Sequence, residues 1–478
     1  MESIWTTTCT INPRESLSQD IETDVAIIGG GMAGILTAYK LKCSGINCVV
    51  IEANRIASGQ SQNTTAKITA QHGHVYSRLV EQFGLEKAQQ YATANIRAVD
   101  EYKNLITQNN IDCDLEIKDN FVYSGKDEKA LQEEARIAQD LGLPASFVRS
   151  VNVPIPTLGA VKFENQAQFN PLKFINAIST DLTIYENTRA LTVDGNKIET
   201  SNGNTVTASK IVFACHYPFL LKPGYYFMRM HQERVYFVAL DNAPQINGMY
   251  IGMNDEGYSF RNYQNYLLIG GSSHRTGENN VGGKYDEVRK AAKTFYPSAR
   301  EVAHWSAQDC IPTDGVPYIG QFANDTPDWY VATGFMKWGM STSMVAATII
   351  SDMLKGVEND CAEIFSPQRF AAKDIPQTLR DGMQAVKGLA KENLMTLKKV
   401  DDLLTCQADV VEVDGHKVGV YKDKHGNTFM VNAKCPHLGC QLEWNKDEMT
   451  WDCPCHGSRF DYTGKLLDEP SQVDIGIK

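Results

Sequence analysis

Two cysteines and two histidines near the C-terminal end stand at spacings that suit a metal centre. Cys435-Pro-His437-Leu-Gly-Cys440 is followed, after twelve residues, by Cys453-Pro-Cys455-His456-Gly-Ser458. One half offers Cys-x-His and the other Cys-x-x-His. Thiolates hold ferric iron tightly. Two neutral imidazoles on the second iron of a two-iron two-sulfur cluster reduce its negative charge and raise its potential relative to an all-cysteine site. The same four donors would also satisfy a tetrahedral zinc ion. The extra pair, Cys440 and Cys455, and the Gly-Ser after His456 favour the cluster. Such a centre moves one electron at a time.

A second constellation lies near the other end. Asp24-Val-Ala-Ile-Ile28 reads as a buried strand, Gly29-Gly-Gly31-Met-Ala-Gly34 opens a helix over residues 35–42, and Cys48-Val-Val-Ile-Glu52 is a strand ending in an acid. This is G-x-G-x-x-G within a βαβ unit. Gly29 permits a tight turn, Gly31 lets the backbone approach a pyrophosphate, and Gly34 lets helix and strand pack closely. The helix N-terminus favours phosphate charge, and Glu52 accepts hydrogen bonds from a ribose.

The cysteine–histidine motif resembles the Rieske domain over roughly the last seventy residues. The resemblance implies Cys435, His437, Cys453 and His456 as ligands of one 2Fe-2S cluster and a Cys440–Cys455 disulfide pinning the two loops. Ser458 stands where Rieske proteins donate to a bridging sulfide. Phe460 stands where they carry a Tyr that donates to a ligand sulfur, which implies a potential below that of the respiratory proteins.

The polar loop after Glu52, with Ala53, Arg55, Ser58, Gly59, Ser61 and Thr65, resembles the flavin-wrapping loop of FAD-dependent oxidoreductases of the D-amino-acid oxidase type. The turn at Asp314 and Gly315, the strand reaching Gly334, and the segment Gly339-Met340-Ser341 leading into an apolar helix over 342–354 fit the same family. In that family this helix points its N-terminus at the flavin. The match spans roughly residues 20–365, and bacterial fusions of the two modules form a known family that the whole chain resembles. It implies non-covalent FAD, although Cys310 lies near a region where some relatives attach it.

The elements that must position these groups follow from the pattern. The expected fold class is α/β and α+β: a Rossmann-like FAD-binding domain with an antiparallel-sheet substrate domain, then a small all-β Rieske domain. Residues 1–20 form a lead draped over the surface, and 21–365 the oxidoreductase. Its FAD-binding parts are about 21–75, 171–215 and 301–365, and its substrate-domain parts about 76–170 and 216–300. Residues 366–400 are a linker with a helix from 377, and 401–478 the Rieske domain. Residues 75–143 read as helical, and alternating aromatic runs over 217–300 as antiparallel strands.

The 478 residues carry a net charge of −11, which argues against nucleic acid and anionic membranes. No apolar run reaches the length of a transmembrane helix, and Met1-Glu-Ser-Ile-Trp5 is not a secretory signal. The expected place is the cytoplasm, where a disulfide is an exception. Four of the twelve cysteines lie in the cluster motif.

There is no second nucleotide fingerprint. The expected partners are a small amine or amino-acid substrate and an external electron acceptor or donor protein. The expected chemistry is a dehydrogenation whose electrons leave through the cluster. The alternative is an electron-transfer protein whose flavin is reduced by another redox protein and whose cluster feeds a separate oxygenase or reductase. Candidate catalytic or substrate residues are Lys67, His72, Arg261, His274 and Lys337, with His74 and Arg275 nearby.

Overall fold

The apolar run at residues 24–28 extends as the strand Ile21–Ile28, with Val25, Ala26 and Ile27 buried. It is the centre of an eight-stranded sheet whose main path runs Tyr318–Gln321, Trp329–Thr333, Thr205–Phe213, Ile21–Ile28, Cys48–Ile51, Ile184–Tyr185. The inner strands pair in parallel. The helices Met32–Cys43 and Gly339–Lys355 pack together in the main core. Burial on nearly every side explains why the second helix is apolar all round. The computed structural model describes residues 2–255, 257–369, 400–413 and 415–477. The linker helix expected from residue 377 lies almost wholly outside them.

A nine-stranded sheet forms the second layer. Its path is Arg300–Pro312, Met230–Asp241, Tyr266–Arg275, Ser259–Tyr263, Met249–Gly252, Glu116–Ser124, Gly159–Gln168 and Lys67–Ile68. All its pairings are antiparallel except that of Met249–Gly252 with Glu116–Ser124. This corrects the helical reading of residues 75–143. The helices Tyr76–Phe83, Leu85–Gln108 and Glu128–Asp140 are present, but the strand Glu116–Ser124 lies between the last two. Its partners are remote in sequence, so local spacing gives no sign of it.

The N-terminal lead is also corrected. Trp5 is fully buried, stacks edge-on against Tyr263 at 4.7 Å, and donates from Nε1 to Thr64 O at 2.7 Å. Ile4 and Leu17 are buried too. An indole in a core lowers free energy by about 2 kcal/mol or more, so this segment is an anchor and not a drape.

The C-terminal module is all-β, with a three-stranded sheet (Gln407–Val413, His416–Lys422, Thr428–Asn432) and a four-stranded one (Glu443–Asn445, Thr450–Asp452, Arg459–Asp461, Leu466–Asp468). It docks beside the helix Lys284–Phe295, whose first N–H groups at Gly283 and Lys284 donate to Asp447 at 3.0 Å each. Among the described residues no helix is long and apolar enough to cross a membrane.

Candidate active site and cluster centre

The two cysteine–histidine loops are built alike. In the first, Cys435 N donates to Cys440 O at 2.8 Å and Gly439 N to Cys435 O at 2.9 Å; in the second, Cys453 N donates to Ser458 O at 2.8 Å and Gly457 N to Cys453 O at 3.0 Å. Gly439 and Gly457, each four residues after a cysteine, take φ of +78° and +86°. That left-handed conformation strains any residue with a Cβ. The loops are joined by the Cys440–Cys455 disulfide, Cα to Cα 6.5 Å. Engaged with each other, those two cysteines are not free to ligate, and Cys435, Cys453, His437 and His456 remain.

These four side chains converge. The Cys435 and Cys453 thiols are in hydrogen-bond contact. The two imidazoles stand 4.9 Å apart at 84°, and each Nδ1 is buried without a hydrogen-bond partner. Buried polar atoms are normally satisfied, so two orphaned ring nitrogens beside two thiols fit the donor set of a metal group. Burial pushes His437 down to about 4 and His456 to about 3, which keeps both neutral, as ligation requires. The Ser458 side chain touches the Cys435 sulfur. Phe460 is fully buried and has no donor.

The glycine motif opens on a cavity of about 610 Å³. A Cβ on Gly34 would lie 1.9 Å from Gly29 O, and one on Gly29 would lie 2.5 Å from Ala214 O. Backbone contact, not ligand contact, therefore demands those two glycines. Glu52 accepts from Gly30 N at 2.7 Å and from Asn54 N at 2.8 Å. The helices Met32–Cys43 and Gly339–Lys355 both begin at the cavity; neither N-cap residue supplies a side-chain cap, and the first N–H of Met32–Cys43 donates to Ser61 Oγ at 2.9 Å. Two exposed helix N-termini on one cavity suit an anionic dinucleotide and its electron-accepting ring.

Of the residues singled out in the sequence, Gly29, Gly31, Glu52, Ala53, Ser58, Gly59, Ser61, Thr65, Lys67, Gly334, Lys337, Gly339 and Met340 line this cavity. The others do not. Arg55 pairs with Glu186 at 2.7 Å. Asp314 is held by Arg369 at 2.8 Å, and Gly315 packs against Arg78. Ser341 lies 2.8 Å from His72 Nε2. His72 also contacts Tyr91 Oη at 2.6 Å and stacks on Trp338, so it positions the start of the helix from behind.

Arg261 is 1% exposed, donates from Nη1 to Thr65 O and Ala66 O at 2.6 and 2.9 Å, and lies over Trp5. It braces the loop and is not turned to the cavity. His274 stacks on Tyr236, with Nε2 3.0 Å from its Oη. His74 lies 3.6 Å from Glu134.

Lys67 is 7% exposed and donates to Ser259 Oγ at 2.6 Å. Burial, with the charge of Arg261, lowers its pKa to about 7. Lys337 pairs with Glu233 at 2.9 Å. Asp309, which the sequence reading passed over, also lines the cavity, and burial raises it to about 6. Period-two spacing along Trp305, Ala307 and Asp309 was the available signal.

The sequence reading also missed the contact between the modules. On the strands Met230–Asp241 and Arg300–Pro312, Gln232 donates to His456 O at 2.8 Å and Gln308 to Gly457 O at 2.9 Å. Arg234, 2% exposed, pairs with Glu448 at 2.5 Å, and Glu448 also pairs with Arg459 at 3.0 Å. Burial alone would push the Glu448 carboxyl up, but the two guanidiniums hold it below its ordinary value. Phe227 presents its edge to both ligand imidazoles, at 6.2 and 5.7 Å. The cavity extends to the module, where Glu448, Arg459, Asp468, Glu469 and Gln472 join its lining.

The family model for FAD dependent oxidoreductases matches residues 24–353, and that for the Rieske [2Fe-2S] domain matches residues 393–477. A Bacillus subtilis (strain 168) protein described as "Putative Rieske 2Fe-2S iron-sulfur protein YhfW" is 33% identical over 500 residues, covering 99% of this chain and 98% of that one. The chain therefore belongs to the FAD-dependent oxidoreductase family and carries a C-terminal Rieske domain. Among solved structures, glycine oxidase from Geobacillus kaustophilus superposes with a TM-score of 0.62 at 19% identity, over 73% of this chain and 100% of that one. L-proline dehydrogenase from P. horikoshii does so at 0.60 and 16%, over 74% and 98%. At these identities the likeness speaks for the fold.

Proposed function

We propose that this chain dehydrogenates an amine or amino acid in the cavity and sends the electrons one at a time through the docked Rieske module to an external acceptor. One observation carries this reading: the cluster loops are hydrogen-bonded, through Gln232 and Gln308, to the two strands that wall the cavity. FAD, when bound, takes up electrons in pairs and gives them up singly, and a Rieske cluster carries one at a time.

The chain's own residues divide the remaining work. Gly31, Ser61 and the first turn of Met32–Cys43 would hold the pyrophosphate of bound FAD, and Glu52 would offer its remaining lone pairs to the ribose. The Cys310 thiol, raised well above its ordinary value by burial, lies 3.5 Å from His216 O, and FAD is held without a covalent bond. The uncapped N–H groups of Gly339–Lys355 stabilise negative charge developing beside them. Lys67, close to half neutral at pH 7, offers a lone pair at Nζ for a proton from the substrate. Cys435, Cys453, His437 and His456 hold the cluster, and His437, the more exposed imidazole, marks the exit.

Anaerobic mixing of the holoprotein with a panel of amines and amino acids tests this. The expected result is flavin bleaching followed by the paramagnetic signal of a reduced cluster. Bleaching by none of them, with reduction by a ferredoxin or flavodoxin alone, would overturn the reading.

A further inference from the structure

The charges lining the cavity are unevenly engaged. Among the described residues its cations are Arg189, Arg234, Arg459, Lys67 and Lys337. Arg189 pairs with Glu469 at 3.2 Å, Arg234 with Glu448 at 2.5 Å, Arg459 with Asp468 at 2.8 Å and Lys337 with Glu233 at 2.9 Å. Lys67 is engaged with Ser259, and the neighbouring Arg261 disfavours its charged form. A carboxylate entering such a site needs a cation to replace its water, and every cation here already has a partner.

Asp309 is the opposite case. It lies two residues beyond Ala307 on the Arg300–Pro312 strand, on the side occupied by Trp305 and not on the Gln308 side that meets the cluster loop. Its carboxylate accepts from the Lys337 backbone N–H, just before the helix Gly339–Lys355. The charges of Lys337 and Arg234 act on it, but Lys337 pairs with Glu233 and Arg234 with Glu448. Glu448, Asp468 and Glu469, the other acids at this end of the cavity, each have an arginine.

We propose that Asp309 anchors a cationic nitrogen of the substrate, so that the cavity takes an amine in preference to a carboxylate-bearing compound. This deepens the oxidoreductase reading of the same cavity and rests on it. The ammonium would give Asp309 an ion-pair partner of its own, while a substrate carboxylate would find only engaged cations and would face Asp309 itself.

The test is binding, followed by calorimetry and by the shift in flavin absorption, with the FAD-loaded full chain and n-butylammonium, butyrate and alanine as probes. Butylammonium is expected to bind at least about tenfold more tightly than butyrate, and Asp309→Asn to remove about tenfold or more of that affinity. Asp309→Glu, which keeps the charge, is expected to retain most of it, and FAD content reports whether each variant is folded. Equal or tighter binding of butyrate, an unchanged affinity in Asp309→Asn, or no binding by any probe would overturn the proposal. Bleaching by amino acids but not by amines would sink it and leave the dehydrogenase reading standing. Binding through Asp309 with no bleaching by any compound would do the reverse.

Discussion

The two centres are built in different ways. The cluster loops are closed by their own backbone hydrogen bonds, by the Cys440–Cys455 disulfide, and by two glycines that allow the turns. Every ligand comes from one short stretch of the module. The cavity has no such unit. Its wall is assembled from residues as distant as Gly29 and Gln472, and part of it belongs to the C-terminal module. The cluster is thus a local device and the cavity a collective one. Damage to a cluster ligand should stay local, while damage to the docking surface should spread to the cavity.

The largest expected effect follows from the local side. His456→Ala should abolish the cluster's visible absorption and its iron content and leave bound FAD unchanged. A normal cluster spectrum in that variant would show the ligand set to be wrong.

The collective side is sharpest at Glu448. Glu448→Ala leaves Arg234 and Arg459 facing each other with a carboxylate removed, and breaking a buried pair costs about 3–5 kcal/mol. Thermal unfolding and limited proteolysis should show the module released, with weaker FAD retention. Unchanged retention would mean that the cavity does not depend on docking.

Lys67 gives a pH test. Its folded pKa is depressed from 10.5 to about 7. Between those values the unfolded state holds a proton that the folded state lacks, so stability rises with pH through that window and is flat below it. The rise should amount to a few kcal/mol, and Lys67→Met should abolish it in a denaturant series.

The smallest change is at the clamp. Gln232→Ala removes three neutral hydrogen bonds: those it donates to His456 O and Glu469 O across the contact, and the one it accepts from Gln308 Nε2. It should weaken docking by about 1–2 kcal/mol and slow the anaerobic appearance of reduced cluster more than it slows bleaching. Equal slowing of both would leave Gln232 with a structural role only.

How much was legible follows the same division. That Cys435, His437, Cys453 and His456 come together, and that the glycine turn leads to Glu52, could be read because neighbours in sequence define both. Arg261 was named because a cation in the aromatic strands looks available to a carboxylate, and His72 because it follows the flavin-wrapping loop. Burial against the Thr65 and Ala66 carbonyls and against Tyr91 engages them instead. Arg234 and Glu448 went unremarked, since only tertiary pairing of residues more than two hundred positions apart buries them. The strand Glu116–Ser124 was missed for the same reason.

The acids Asp468 and Glu469 both line the cavity and tie the C-terminal module down, through Gln60 and through Arg189. Whatever affinity FAD gains from a wall already in place, the module gains equally from FAD, because linkage is reciprocal. The apoprotein should then hold its tail loosely, and maturation should have an order: flavin loading first, tight closure of the iron–sulfur unit second.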